Sequence, residues 1–240
     1  MRILYKNKLE TAALTATTIN VNFPLSNILS EQLATPFRAT DNSVTITGVF
    51  DTPAVVNAIG IAGHNVTAWT CRLYDDTGLI AEQSRTALKS DTMYFSDSPV
   101  TKVEIALSGA DTVEVGRIIV GTYIQMPNPL AYYSEQLVVT NERTDTQFGA
   151  VYGSDGVLLR QLSPSFTAVP HTKFVQIATM MFDVRNCRGL FVDMTELNHV
   201  YKEPLYATLE MESVGYSRDS RLDKATEQRY AFSLEIKEAM

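Results

Sequence analysis

The alternation of apolar and polar residues is most legible between Ala54 and Gly78. Ala54, Val55, Val56, Ala58, Ile59 and Ile61 form a nearly continuous apolar run, which suits a strand covered on both faces. A polar turn at Gly63-His64-Asn65 follows. The next run then alternates, with Trp69, Cys71 and Leu73 on one side and Thr70, Arg72 and Tyr74 on the other, as the two-residue period of a strand requires. Asp75-Asp76-Thr77-Gly78 has the composition of a turn and predicts a hairpin from Cys71 to Ala81.

Similar short runs fill the rest of the first half. Ser43 to Phe50 alternates through Val44 and Ile46, and its Gly48 predicts a bulge or bend before Asp51-Thr52-Pro53 ends the strand. Val103, Ile105 and Leu107 share one face, and Val113, Val115, Arg117 and Ile119 repeat the pattern after a turn at Ser108 to Asp111. Strands separated by Gly, Asp and Pro clusters without intervening helical periodicity predict an antiparallel sandwich.

The composition changes at Gln125 to Ser134, where Pro127 and Pro129 disfavour both helix interior and central strand. A boundary is placed there, giving domains 1–126 and 127–240; the alternative is a long loop within one large sandwich. In the second, Leu137 to Val139, Gln147 to Tyr152, Gly156 to Leu162, Arg188 to Met194, Leu205 to Val214 and Gln228 to Ile236 read as strands. Thr172 to Val184 differs: Phe174, Ile177, Met180 or Met181, and Val184 recur at helical spacing. The expected fold is therefore mainly β, a sandwich followed by a second β-rich domain with one helix.

Composition narrows the partners more than the fold. A hydrophobic fraction of 45% and 20% charged residues over 240 residues supply an ordinary core. The net charge of −7, with no run of Lys or Arg, leaves no footprint for a phosphate backbone, so no nucleic-acid partner is expected. Cys71 and Cys187 lie in different halves, without His or carboxylate neighbours at zinc-ligand spacing. The first residues lack the unbroken apolar stretch of a signal peptide, and no segment is long enough to cross a bilayer. Synthesis in a cytoplasm and no membrane partner are expected.

Candidate chemistry is sparse. His64 and Asn65 sit at a loop tip, where the pair more often bonds backbone than performs catalysis. His171 and His199 have no partner at a meaningful offset, and Asp75-Asp76 offers too few oxygens for calcium. Gly60 to Gly63 lacks the Lys-Ser/Thr of a phosphate loop, and no Gly-x-Ser-x-Gly, His-Glu-x-x-His or reactive-cysteine signature occurs. Trp69, Tyr74, Tyr94 and Phe95 could form a sugar platform, although Trp69 shares a face with Cys71 and Leu73 and so reads as core. Trp69, Tyr74, His64 and Asn65 are the ligand-binding candidates. No catalytic residue, metal site or cofactor is expected, and the chain is not expected to be an enzyme.

Pro24 to Leu29, Phe37 to Thr40, Val44 to Ile46 and the block Ala58 to Asn65 occur in the order found in galactose-binding-like, or discoidin-like, jelly-roll modules of tailed-phage virion proteins, which the first half resembles. Phe37 stands where such modules usually carry Trp, and no sugar-binding residue is carried over. The second half resembles ring-forming tail proteins, through Gly153 to Phe166 and the closing strand Arg229 to Glu238. The resemblance implies a structural protein of a phage tail end (distal tail, baseplate or tail-tip ring). Its partners would be copies of itself in a ring and other phage tail proteins, and it would be made in the host cytoplasm and carried in the virion tail. The alternative is a carbohydrate-binding module for host-receptor adhesion.

Overall fold

In a computed structural model, the described residues are 1–127, 133–140, 143–145, 151–153, 157–184, 188–194, 203–209, 216–218 and 229–239. They form two β-rich units with antiparallel pairing throughout. The first comprises Met1–Met126 with the described parts of 188–206, and the second holds the remaining described residues.

The first unit contains β1 (Arg2–Leu4), β2 (Ala13–Ala16), β3 (Phe37–Arg38), β4 (Ser43–His64), β5 (Val66–Asp75), β6 (Gly78–Thr86), β7 (Ser90–Gly109), β8 (Glu114–Gly121) and β9 (Tyr123–Gln125). Two of these strands are long enough to serve two layers. The first part of β4 pairs with β2 and with Lys102–Ser108 of β7, whose other edge carries β5 and then β6. The later part of β4, from Ala54 onward, pairs with the start of β7 and with β8, and β8 carries β3. The front layer is thus β2-β4-β7-β5-β6, and the back layer is β7-β4-β8-β3.

Burial follows this division. In the front layer Val44, Ile46, Trp69, Cys71, Leu73, Val103, Ile105 and Leu107 point inward, where they meet Ile59, Ile61, Ile118, Val120 and Phe37 of the back layer. Around them the strands alternate buried with exposed. From Val56 to Ala62, by contrast, every residue is buried, so this stretch is covered on both faces as its apolar run predicts. Its second cover includes Phe191 of β14 (Leu190–Asp193), a strand paired with β1, whose other edge carries β9. A Cβ on Gly60 would lie 2.6 Å from the Phe191 ring, so only glycine allows this close approach. Asn7 also binds the back layer, donating to the Ile118 carbonyl at 2.8 Å and accepting from the Val120 amide at 3.1 Å.

Two local expectations for β4 are corrected. The strand does not end at Asp51-Thr52-Pro53 but continues to His64, and its register against β7 shifts twice, between Val49 and Ala54 and between Val56 and Ala58. Gly48 stays in regular register opposite Val103 and Leu14. Its role is steric, because a Cβ there would meet Leu9 at 2.8 Å. The hairpin β5-β6 forms as expected around Asp75, whose Oδ1 accepts from the Thr77 amide and hydroxyl and from the Gly78 amide. Gly78 takes a φ of 132° there, a region open to glycine.

The second unit contains β10 (Tyr133–Thr140), β11 (Arg143–Asp145), β12 (Val151–Gly153), β13 (Val157–Pro170), α1 (His171–Val184), β15 (Leu205–Leu209), β16 (Tyr216–Arg218), β17 (Arg229–Ser233) and β18 (Ile236–Glu238). Leu205 and Tyr206 at the start of β15 are counted with the first unit. β13 is central, pairing with β10, β17 and β18, while β16 extends from β17 and β15 pairs with β18 through Ala207–Leu209. The helix lies where the periodicity placed it and buries Ile177, Met180, Met181 and Val184. Phe174 stacks on Tyr230 at 4.2 Å. The closing run, expected as one strand, is two. Its alternation nevertheless persists, with Phe232, Leu234 and Ile236 all buried, because both segments stay paired with β13 and keep one face toward the core. Residues 147–150, 156, 210–214 and 228 of the expected strands lie outside the described residues, as do Cys187 and His199.

Candidate functional site

The four ligand-binding candidates are separated by the sandwich. Trp69 lies inside it, 2% exposed, and its indole N–H donates to Asp91 Oδ2 at 2.8 Å. Because Asp91 lies near the start of β7, paired with Ile61 in the back layer, this bond crosses the core. Asp91 is fully buried, and its other oxygen receives the Thr92 amide at 2.8 Å and the Arg85 guanidinium at 3.1 Å, so a buried charge is paired as physical chemistry demands. Burial likewise pushes the neighbouring Cys71 thiol well above its ordinary value, and the residue behaves as a small hydrophobe.

His64 and Asn65 make the arch from back layer to front, with Gly63 at a φ of 62°. His64 Nδ1 accepts from the Val66 amide at 3.2 Å, which leaves that nitrogen unprotonated. Burial lowers its pKa below 6.5, against the opposing pulls of the Asp91 carboxylate and the Leu88 backbone. Asn65 donates to the Thr112 carbonyl at 2.7 Å and accepts from the Glu114 amide at 2.8 Å. Both side chains fix the loop, the structural role weighed for them on sequence grounds.

Tyr74 is on the outer face of the front layer, away from the other three. Lys102 Nζ stands 3.8 Å from its ring centroid, and its hydroxyl donates to Glu104 at 2.7 Å. That bond raises the tyrosine pKa and lowers that of Glu104. One face of the ring is therefore occupied by a cation instead of being open for stacking. Tyr94 packs edge-on to Tyr123 with the Arg2 guanidinium 4.4 Å from its centroid, and burial raises its pKa.

The same outer face holds a groove that no sequence motif announces. Register across the strands aligns Thr45, Ala106, Thr70 and Ser84 in one row, and Ser43, Ser108, Ala68 and Thr86 in the next. Thr17 joins the first row, its hydroxyl accepting from the Thr45 amide at 3.1 Å. The small side chains of Ala68 and Ala106 leave a floor, and Thr17, Ser43, Thr45, Thr70 and Ser108 surround it in an open depression of about 260 Å³. None of the lining side chains is charged. Ion pairs begin one row further on, where Arg72 meets Glu82 at 3.3 Å and Lys102 meets Glu104 at 2.9 Å. Among the described residues no cluster of three His, Cys, Asp or Glu could hold a metal ion, and no helix is long and apolar enough to cross a membrane.

No model of a known protein family matches the chain, and comparison with curated proteins finds no match. Solved structures similar to about half of it include a Streptococcus pneumoniae fucose binding module, 12% identical, covering 49% of this chain and 95% of that one at a TM-score of 0.42. Another is the lectin domain of Lectinolysin complexed with Lewis B antigen, 8% identical, covering 48% of this chain and 95% of that one, also at 0.42. A third is a Ruminococcus gnavus fucosidase in complex with fucose, 14% identical, covering 50% of this chain at 0.43. Only 27% of that enzyme is matched, so this chain corresponds to about a quarter of its length.

Proposed function

We propose that the first unit is a non-catalytic carbohydrate-binding module that takes a neutral glycan in the groove of the front layer. The groove itself carries this reading, since hydroxyls over a floor of methyl groups match a ligand that presents hydroxyls and C–H faces but no charge. An anionic ligand would find no cation within the lining. The polar groups best suited to acid-base work, Asp91 and His64, are committed to holding Trp69 and the arch. A glycan array with the intact chain and with Ala106→Leu, which fills the floor, tests the proposal. Binding by the native chain and its loss in the variant are expected, and an array without hits would remove it.

A second reading is a structural component of a phage tail end, working as a ring of copies with other tail proteins and carried in the virion. The second unit favours it: Val175 and Phe182, two helical turns apart on α1, are 46% and 66% exposed, and Leu137 on β10 is 51% exposed. Cryo-microscopy of virions tests it, and absence of the protein from the tail would exclude it.

A further inference from the structure

Natural sheets protect their open edges, and the first unit protects them unequally. At one side of the front layer β2 is only four residues long, a common way of blunting an edge. At the other side β6 runs for nine residues, pairs only with β5 among the described strands, and contains neither Pro nor Lys. Its two charges are already neutralised within the unit, Glu82 by Arg72 and Arg85 by Asp91. Leu79 and Ile80 at the start of the strand are 52% and 37% exposed, so apolar side chains stand on this open edge.

We propose that β6 pairs antiparallel with β6 of a second copy of this chain, about a twofold axis at Ser84. A twofold perpendicular to the sheet keeps each side chain on its own face, so the axis must pass through a residue and not between two. An axis at Glu82 or at Arg85 would set like charges directly opposite one another, which is destabilising. An axis at Gln83 would set Ala81 against Arg85 and Ile80 against Thr86. The axis at Ser84 sets Gln83 against Arg85, Glu82 against Thr86 and Ala81 against Ala87, with no like charges opposed and no apolar residue set against a charge. Ala87 remains strand-like for this purpose, its amide donating to the Thr67 carbonyl at 2.9 Å. Ser84 itself is exposed, with its hydroxyl turned to Thr70 at 2.7 Å.

The pairing joins two front layers into one continuous sheet and puts both grooves on the same face. At ~4.8 Å per strand, the two β7 strands under the grooves would lie about 24 Å apart. This consequence rests on the carbohydrate reading, but the pairing does not: a dimer that binds no glycan would overturn only the former.

Light scattering of the intact chain at micromolar concentration is the test. The expected mass is twice 26.6 kDa, falling to the single-chain mass for Ser84→Lys, which places two ammonium groups face to face on the axis. Ser84→Cys, mapped by peptide mass spectrometry after mild oxidation, should give a disulfide between the two position-84 residues, and it decides the matter even if the lysine variant misfolds. A native monomer overturns the proposal. So does a dimer that survives Ser84→Lys without cross-linking through position 84.

Discussion

The two halves of β4 teach different lessons although they belong to one strand. From Ser43 to Val49 the strand alternates, with one side in the core and the other facing outward among threonines, serines and ion pairs. From Val56 to Ala62 both sides are covered, with Phe191 of β14 against Gly60 on the second. Here the back layer gives up its outer side to packing, whereas the front layer keeps its outer side exposed among the described residues.

Removing the cover should separate the halves most sharply. Phe191→Ala would open a cavity over Gly60 and cost about 3–5 kcal/mol, measured by chemical denaturation. Gly60→Ala, which forces a methyl against the same ring, should cost about 1–3 kcal/mol and much less when combined with Phe191→Leu. Equal costs with and without the leucine would show that this ring does not set the spacing.

A comparable loss is expected from Arg117→Met. This guanidinium is 1% exposed on the covered side of β8, donating to the Leu29 carbonyl and pairing with Glu31 at 2.8 Å. Glu31 in turn accepts from the Gly189 amide at 2.7 Å and the Tyr206 hydroxyl at 3.2 Å. Since Glu31 is about one-third exposed and can recover some hydration, the loss should be about 1–3 kcal/mol. A neutral substitution would mean that the network adds nothing to stability.

Acid should weaken the unit through the arch. His64 has a folded pKa below its ordinary 6.5, so the unfolded chain binds the proton more readily. Its contribution is complete above pH 6.5 and is lost as the pH falls through the lowered folded value. His64→Gln should flatten this part of the stability profile; an unchanged profile would assign the slope to other groups. The smallest effect on stability is expected from Ala106→Leu on the outward face, within about 0.5 kcal/mol, despite its predicted loss of glycan binding.

The strands were legible because burial imposes a period: Val44 and Ile46, or Trp69, Cys71 and Leu73, declare a face without further information. The doubly covered stretch was legible for the same reason, although nothing local identified Phe191 as its cover. Gly48 misled because local rules associate glycine with a bend, whereas here the missing side chain makes room for Leu9. Arg117 stood within an apolar pattern, but its partner Glu31 lies 86 residues earlier and is brought close only by the fold. The groove was invisible for a related reason. Thr17, Thr45, Thr70 and Ala106 become neighbours through strand register, which the sequence does not print.

The sharing of β4 and β7 between layers has a mechanical consequence. Neither layer owns a complete set of strands, so one cannot detach while the other persists, and the sandwich should lose its ordered state in a single step. Amide protons along both strands should accordingly exchange together, at the rate set by global opening, on either side of the register shifts.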